Sequence, residues 1–316
     1  MKLKAILNSD GGTFRTTDMD LYTKAMDEAF RSAGHEIEIA VVSGSDMEAE
    51  LKRAANRDDL DAMIAGGGDG TISAAAGVAW KSGLPLGVVP AGTMNLFARS
   101  LKLPLDIWKV LDVLANGEVI DGDIGSANGR AFVHQFSMGL HARMVRYRES
   151  YSFASRLGKI SASTRAAIGV VFNPPQFKIE FRADGVTERR KVSALSVSNN
   201  HFGANSLMYA DDLTGGHLGF YTAPPLTPPG VGRLVFDILR GKFRESTLIT
   251  EMSVKQVELY FPDARKHKIN CVIDGELLRL RGDVEIKIHA GELKLLVGSP
   301  VAPQAAAVEP APGMTV

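Results

Sequence analysis

The chain has 316 residues, 45% of them apolar and 23% charged, the mix of a folded protein of about two domains and not of a disordered, collagen-like or low-complexity one. Lysine plus arginine and aspartate plus glutamate number 36 each, so no net charge supplies the broad field of a nucleic-acid binder, and nucleic acid is not expected as a partner. Cys271 is the single cysteine, which excludes an internal disulfide and a thiolate zinc cluster and fits a reducing, cytoplasmic setting.

The apolar stretch 5–7 is too short for a signal-peptide core. The run 166–172, broken by Gly169, falls well below the roughly 20 residues of a spanning helix. Any membrane is therefore expected to be touched from its surface.

In chain order, residues 3–7 and 37–42 read as strands around a helix on which Leu21, Tyr22, Ala25, Met26, Ala29, Phe30 and Ala33 share a face, closed by Gly34. A helix over 45–55, a strand over 62–65, a glycine loop, a helix over about 72–82 and a strand over 86–89 continue the alternation. Asp106 caps a helix over 107–115, and a strand follows over 119–124. Strands separated by helices in this way predict a parallel sheet with ligands at the strand ends. After residue 125 the punctuation changes. Asn128-Gly129 and Asp184-Gly185 are two-residue hairpin signals, and alternation over 192–197, 254–261, 268–273 and 284–288 predicts an antiparallel sandwich. Helices interrupt it over 140–171 and about 229–239, and the Pro- and Ala-rich residues 299–316 read as a disordered tail.

Two loops carry the chemistry. Gly66-Gly67-Gly68-Asp69-Gly70-Thr71 follows a strand and opens a helix, so its backbone N–H groups can approach an anion at the positive helix end. An aspartate inside such a nest calls for a cation beside the phosphate, and Mg²⁺ supplies that balance. Residues 90–99, PAGTMNLFAR, repeat the strand-loop-helix arrangement, which predicts two anion-receptive loops on one sheet edge. The chain lacks a P-loop, a G-x-G-x-x-G fingerprint, the protein-kinase motifs, a zincin helix and a G-x-S-x-G elbow.

In combination, GGGDGT at 66–71 and PAGTMNLFAR at 90–99 resemble the diacylglycerol kinase catalytic family, including the small bacterial lipid kinases. The likeness extends through Asp123-Ile124-Gly125, residues 128–132 and Asp274-Gly275-Glu276, and so spans about residues 3–298. It implies an α/β fold: a phosphofructokinase- and NAD-kinase-like nucleotide domain over 1–125, completed by 290–298, and a β-sandwich lipid domain over 126–289. It implies ATP as phosphoryl donor, a lipid alcohol as acceptor and Mg²⁺ as cofactor. Carried over by position, Asn8 with Gly11 and Gly12 forms a first phosphate-side loop. Gly67, Gly68, Gly70 and Thr71 form the second, and Gly92, Thr93 and Asn95 the third. Asp69 and Asp123 are the metal carboxylates, and Glu276, assisted by Asp274, is the general base.

Departures from the family pattern stand beside the likeness. Leu96 follows Asn95 where the family usually has an aspartate, Ile72-Ser73-Ala74 replaces x-Asn-Glu, and Gly215-Gly216 replaces Asp-Gly in the loop that resembles a structural-metal site. Two other classes therefore stay open, a soluble NAD-kinase-like enzyme and a regulatory nucleotide binder without chemistry. Arg143, Arg146, Arg148, Arg156, Lys159 and Arg165, opposed only by Glu149, are expected to meet an anionic membrane surface, peripherally on the inner face. Oligomeric state is open, a homodimer being one alternative.

Overall fold

A computed structural model describes residues 1–150, 172–205, 207–262, 269–280 and 282–298. The expected helix beyond residue 150 and the expected disordered tail over 299–316 lie outside these residues. β1 (Lys2–Asn8) pairs in parallel with β2 (Glu36–Val42), and α1 (Met19–Ser32) crosses between them. Asp18 starts the helix by accepting the N–H groups of Asp20 and Leu21, and Tyr22, Met26 and Phe30 fall on one buried stripe. α2 (Met47–Ala55), β3 (Ala62–Gly67), α3 (Asp69–Ser82) and β4 (Leu86–Pro90) extend the parallel order to β2-β1-β3-β4. β3 and β4 are buried at every position, which is why they read as short unbroken apolar runs instead of alternating ones.

After the short helices α4 (Leu96–Ser100) and α5 (Lys109–Ala115), β5 (Glu118–Ala127) turns back through Asn128-Gly129 into β6 (Arg130–Phe132). Hairpin β8 (Phe177–Ala183) and β9 (Val186–Val192) closes through Asp184-Gly185. Both central residues have positive φ in each turn, the primed geometry that matches strand twist. A third such turn, Asp274-Gly275, joins β14 (Ile269–Ile273) to β15 (Glu276–Leu280).

The change of punctuation near residue 125 is not a break in the sheet. With β13 (Gln256–Tyr260) and β16 (Val284–Val297), the ten strands of the main sheet run β2-β1-β3-β4-β16-β13-β8-β9, with β5 paired to β16 and β6 paired to β5. The alternating segment 284–288 is the first part of this 14-residue strand. Its start pairs antiparallel with β13, its end pairs in parallel with Leu86 and Gly87 of β4, and it runs antiparallel to β5 along most of its length. A register shift between His289 and Leu293 bends it where the two regions meet.

The second sheet is antiparallel and six-stranded, in the order β12 (Thr250–Val254), β11 (Leu218–Ala223), β10 (Ala194–Asn199), β7 (Gln135–Gly139), β14, β15. The expected strand over 192–197 is divided at Ser193, where the chain leaves the first sheet and enters the second. The two sheets close on a core that includes Phe136, Val257 and Ile286, with Phe181 edge-on to Phe220 at 5.0 Å between ring centres. α6 (Leu140–Ser150) and α7 (Pro228–Leu239), which begins with two prolines after Thr227, accompany the second sheet.

Candidate active site

The ends of β1, β3 and β4 bring three loops together. Asn8 donates its side-chain amide to the Thr71 hydroxyl at 2.9 Å, while its carbonyl accepts the Gly11 N–H. Thr13 N–H reaches the Ala91 carbonyl, tying the first loop to the third. A Cβ on Gly92 would stand 2.6 Å from Gly68 Cα, and one on Gly67 would stand 2.7 Å from the Thr71 side chain. These two glycines are therefore demanded by close approach and not by positive φ. α3 begins at Asp69 and not near residue 72, so Asp69, Gly70 and Thr71 form its first turn. Its N-cap, Gly68, offers no side-chain acceptor, and the first-turn N–H groups have no partner within the helix.

Asp69 joins the second loop to the third. Its carboxylate accepts the Asn95 N–H at 3.0 Å and the Leu96 N–H at 2.6 Å, capping α4 from outside. Asn95 itself sits in the left-handed region at φ 51° and folds its side chain back onto Gly92, accepting that residue's N–H and donating to its carbonyl. Gly12 and Thr93 are exposed at the edge of this bowl.

Asp274 and Glu276 approach from the other side and differ sharply. Asp274 accepts four hydrogen bonds: the Ser73 hydroxyl of α3 at 2.6 Å, and the consecutive backbone N–H groups of Val133, His134 and Gln135 at 2.8 to 2.9 Å. Burial raises its pKa against the opposing pull of those donors. It is thus a latch between α3 and the sandwich. Glu276 is exposed and paired with Arg130, an ion pair of the weak surface kind.

An apolar cavity of about 760 Å³ starts at this polar rim and runs into the sandwich region. Asp69, Gly70, Asp274, Gly275 and Glu276 border it at one end. Its walls include Met138, Leu140, Met144, Leu195, Val231, Leu234, Ile238 and Phe243, together with Tyr221, whose ring stacks on Phe202 at 5.1 Å. Sequence reasoning missed this feature, because its lining comes from β7, α6, β10, β11, α7 and the segments between and after them, with no shared motif. It also missed His134, which borders the cavity; desolvation pushes its pKa down to about 4, with the Asp69 charge opposing, so the imidazole is neutral near pH 7.

The two carboxylates expected to share a metal do different things. Asp123, 2% exposed, accepts the Gly216 N–H at 2.6 Å and the Gly291 N–H at 2.9 Å, and it does not border the cavity. It thereby holds the bend of β16. Asp69 keeps lone-pair positions beyond its two backbone bonds, and Mg²⁺ commonly binds through one or two carboxylates plus phosphate oxygens and water. The donor set fits an ion that arrives with a triphosphate at Asp69. Among the described residues no cluster of three or more His, Cys, Asp or Glu side chains is arranged to hold a metal by itself.

Of the basic residues expected at a membrane, Arg143 donates to the Asn173 carbonyl and lies over the Tyr147 ring, and Arg146 is exposed. Arg156, Lys159 and Arg165 lie outside the described residues, as does the side chain of Arg148. Among the described residues no helix is long and apolar enough to cross a membrane.

The chain is similar in sequence and in fold to proteins named diacylglycerol kinase. The chain is 25% identical over 298 residues to a diacylglycerol kinase of Staphylococcus saprophyticus, covering 90% of this chain and 94% of the relative. It is 34% identical over 151 residues to a diacylglycerol kinase of Staphylococcus aureus, covering 46% of each. In fold it is similar to a crystal structure of a diacylglycerol kinase from Bacillus anthracis strain Sterne, with a TM-score of 0.70, 16% identity, and coverage of 94% of this chain and 97% of the other. The model of the diacylglycerol kinase catalytic domain matches residues 2–127, the stretch that contains all three loops, and this part of the chain is similar to that family.

Proposed function

We propose that the protein is an ATP-dependent lipid kinase, transferring the γ-phosphoryl group of ATP to the hydroxyl of a lipid alcohol, with diacylglycerol as acceptor and phosphatidic acid and ADP as products. The observation that carries this reading is the meeting of opposites at one rim: a bowl of backbone donors around Asp69, and an apolar cavity of about 760 Å³ that begins at the same residue. An acyl chain is the substrate part that such a cavity suits, and a triphosphate is the part that the bowl suits. The apolar walls favour this over an NAD-kinase-like acceptor, which would need polar partners along its length.

In this reading the phosphates lie against the first turn of α3 and the Gly92-Thr93 loop. Bound at Asp69, Mg²⁺ would neutralise phosphate charge. Glu276 takes the hydroxyl proton as the lipid oxygen bonds to the γ-phosphorus and the bond to the bridging oxygen of ADP breaks. Asp274, saturated by four donors, acts as a positioning residue that keeps the Glu276 turn against α3. Asp69 is the proposed metal carboxylate, and Asp123 the brace behind the site. The division of labour follows residues 1–125 with 290–298 for nucleotide and 126–289 for lipid, and the setting is the cytoplasmic face of a membrane.

The deciding assay offers γ-labelled ATP with diacylglycerol in mixed micelles, with other lipid alcohols, and with NAD. Label in an organic-extractable phospholipid supports the proposal. Label in NAD alone, or ATP binding without any transfer, overturns it.

A further inference from the structure

α7 is apolar on two sides. Val231, Leu234 and Ile238 turn inward and wall the cavity, whereas Phe236 and Leu239 stand 56% and 71% exposed on the outside. A helix that merely covers a soluble domain places charged residues on its outer face. Here that face carries two large apolar side chains among the exposed Arg233, Arg240 and Lys242. The Arg240 guanidinium lies over the Phe236 ring at 5.2 Å, and among the described residues neither Arg233 nor Arg240 pairs with a carboxylate. Asp237, the one acid on the helix, accepts the Ser246 hydroxyl. Across the cavity, Met144 of α6 is likewise half exposed while it borders the lumen.

We propose that α7 is a membrane-docking helix that lies in the interfacial plane of an anionic bilayer. Phe236 and Leu239 enter the boundary between headgroups and acyl chains, and Arg233 and Arg240 meet lipid phosphates. The argument for a bilayer as occupant is the combination of apolar anchors with cations that have no acidic partner, and the continuity of the same helix with the cavity behind it. Resting on the lipid-kinase reading, this gives the acceptor a route from the leaflet into the cavity that avoids water. The surface differs from the basic stretch around residues 143–165 that the sequence suggested.

The test is co-sedimentation of the full chain with vesicles of phosphatidylcholine alone and with about one third phosphatidylglycerol. The parent should bind the anionic vesicles, and the double variant Phe236→Ser, Leu239→Ser should bind them at least about tenfold more weakly. Arg233→Gln with Arg240→Gln should lose the preference for anionic vesicles. Leu239→Trp, which keeps the apolar surface, should show quenching by spin-labelled lipid beyond that of the parent's Trp80 and Trp108. Activity on a short-chain, water-soluble acceptor should be the same in the parent and the double serine variant, while activity on vesicle-borne acceptor falls with binding. A double variant that sediments like the parent, or a Leu239→Trp probe that the lipid does not quench, overturns the proposal. So does a double variant that passes from dimer to monomer with vesicle binding unchanged, which would make the face a contact between two copies. If vesicle binding behaves as expected but no label is transferred to any lipid, the kinase reading fails and the docking surface stands.

Discussion

The two ends of the proposed site are built from different materials. The phosphate end consists of backbone: residues 8–12, 66–71 and 90–95 are three short contiguous loops whose N–H groups and glycines do the work, fixed by Asp69 and Asn95. The proposed lipid end consists of side chains drawn from five elements between residues 135 and 239 and from the segments that connect or follow them, none adjacent in sequence to more than a few of the others. An anion site made of main chain must be local, because consecutive N–H groups point together only within a turn or a helix start. An apolar cavity has no such constraint, since any side chain of suitable size can wall it.

Substitutions at each end should therefore fail differently. The largest effect is expected for Asp69→Ala, which removes the proposed metal carboxylate and the outside cap of α4; turnover should fall by more than about 10³-fold in the labelled-ATP assay. Glu276→Gln should lower kcat by at least about 10²-fold with KM for ATP unchanged, and an unaffected kcat would place the base elsewhere. At the apolar end, Ala194→Phe fills cavity space and should raise KM for a long-chain acceptor about tenfold while leaving ATP binding as it was. If ATP binding suffers equally, the two ends are not separable.

Smaller effects probe the junction. Ser73→Ala deletes one of the four donors to Asp274 and should cost about 1 kcal/mol in denaturant unfolding. His134 titrates near 4 in the fold and near 6.5 when unfolded, so between these values the unfolded chain binds more protons and stability falls as pH drops. His134→Asn should flatten that slope between pH 7 and 5, by about 2 kcal/mol, in the same unfolding measurement.

Much of the first half was legible because its signals are short-range. The stripe Tyr22, Met26, Phe30 gave α1, the buried runs gave β3 and β4, and the glycine loops gave their own positions. The hairpins at 128–129 and 184–185 were readable for the same reason, since a two-residue turn with positive φ at both positions selects Asn-Gly or Asp-Gly. The Asp274-Gly275 turn carries the identical signature and is readable as a turn, but the role of Asp274 as an assistant to the base came from the family likeness. Its four donors come from residues 73 and 133–135, far along the chain, and pattern reading has no access to such distances. Asp123 was placed with the metal for the same lack; its partners Gly216 and Gly291 are brought to it only by the bend of β16.

By itself, then, the sequence determined the strand-helix alternation, the two glycine loops at 66–71 and 90–95 and the change to hairpins after residue 125, all of which are set by neighbours a few residues apart. The tertiary structure alone decided that one long strand, β16, carries the sheet across both regions, that Asp274 is a latch and Asp123 a brace, and that an apolar cavity opens beside Asp69. Each of these depends on which distant segments pack together, and that is fixed by burial over the whole chain and not by any local run of residues.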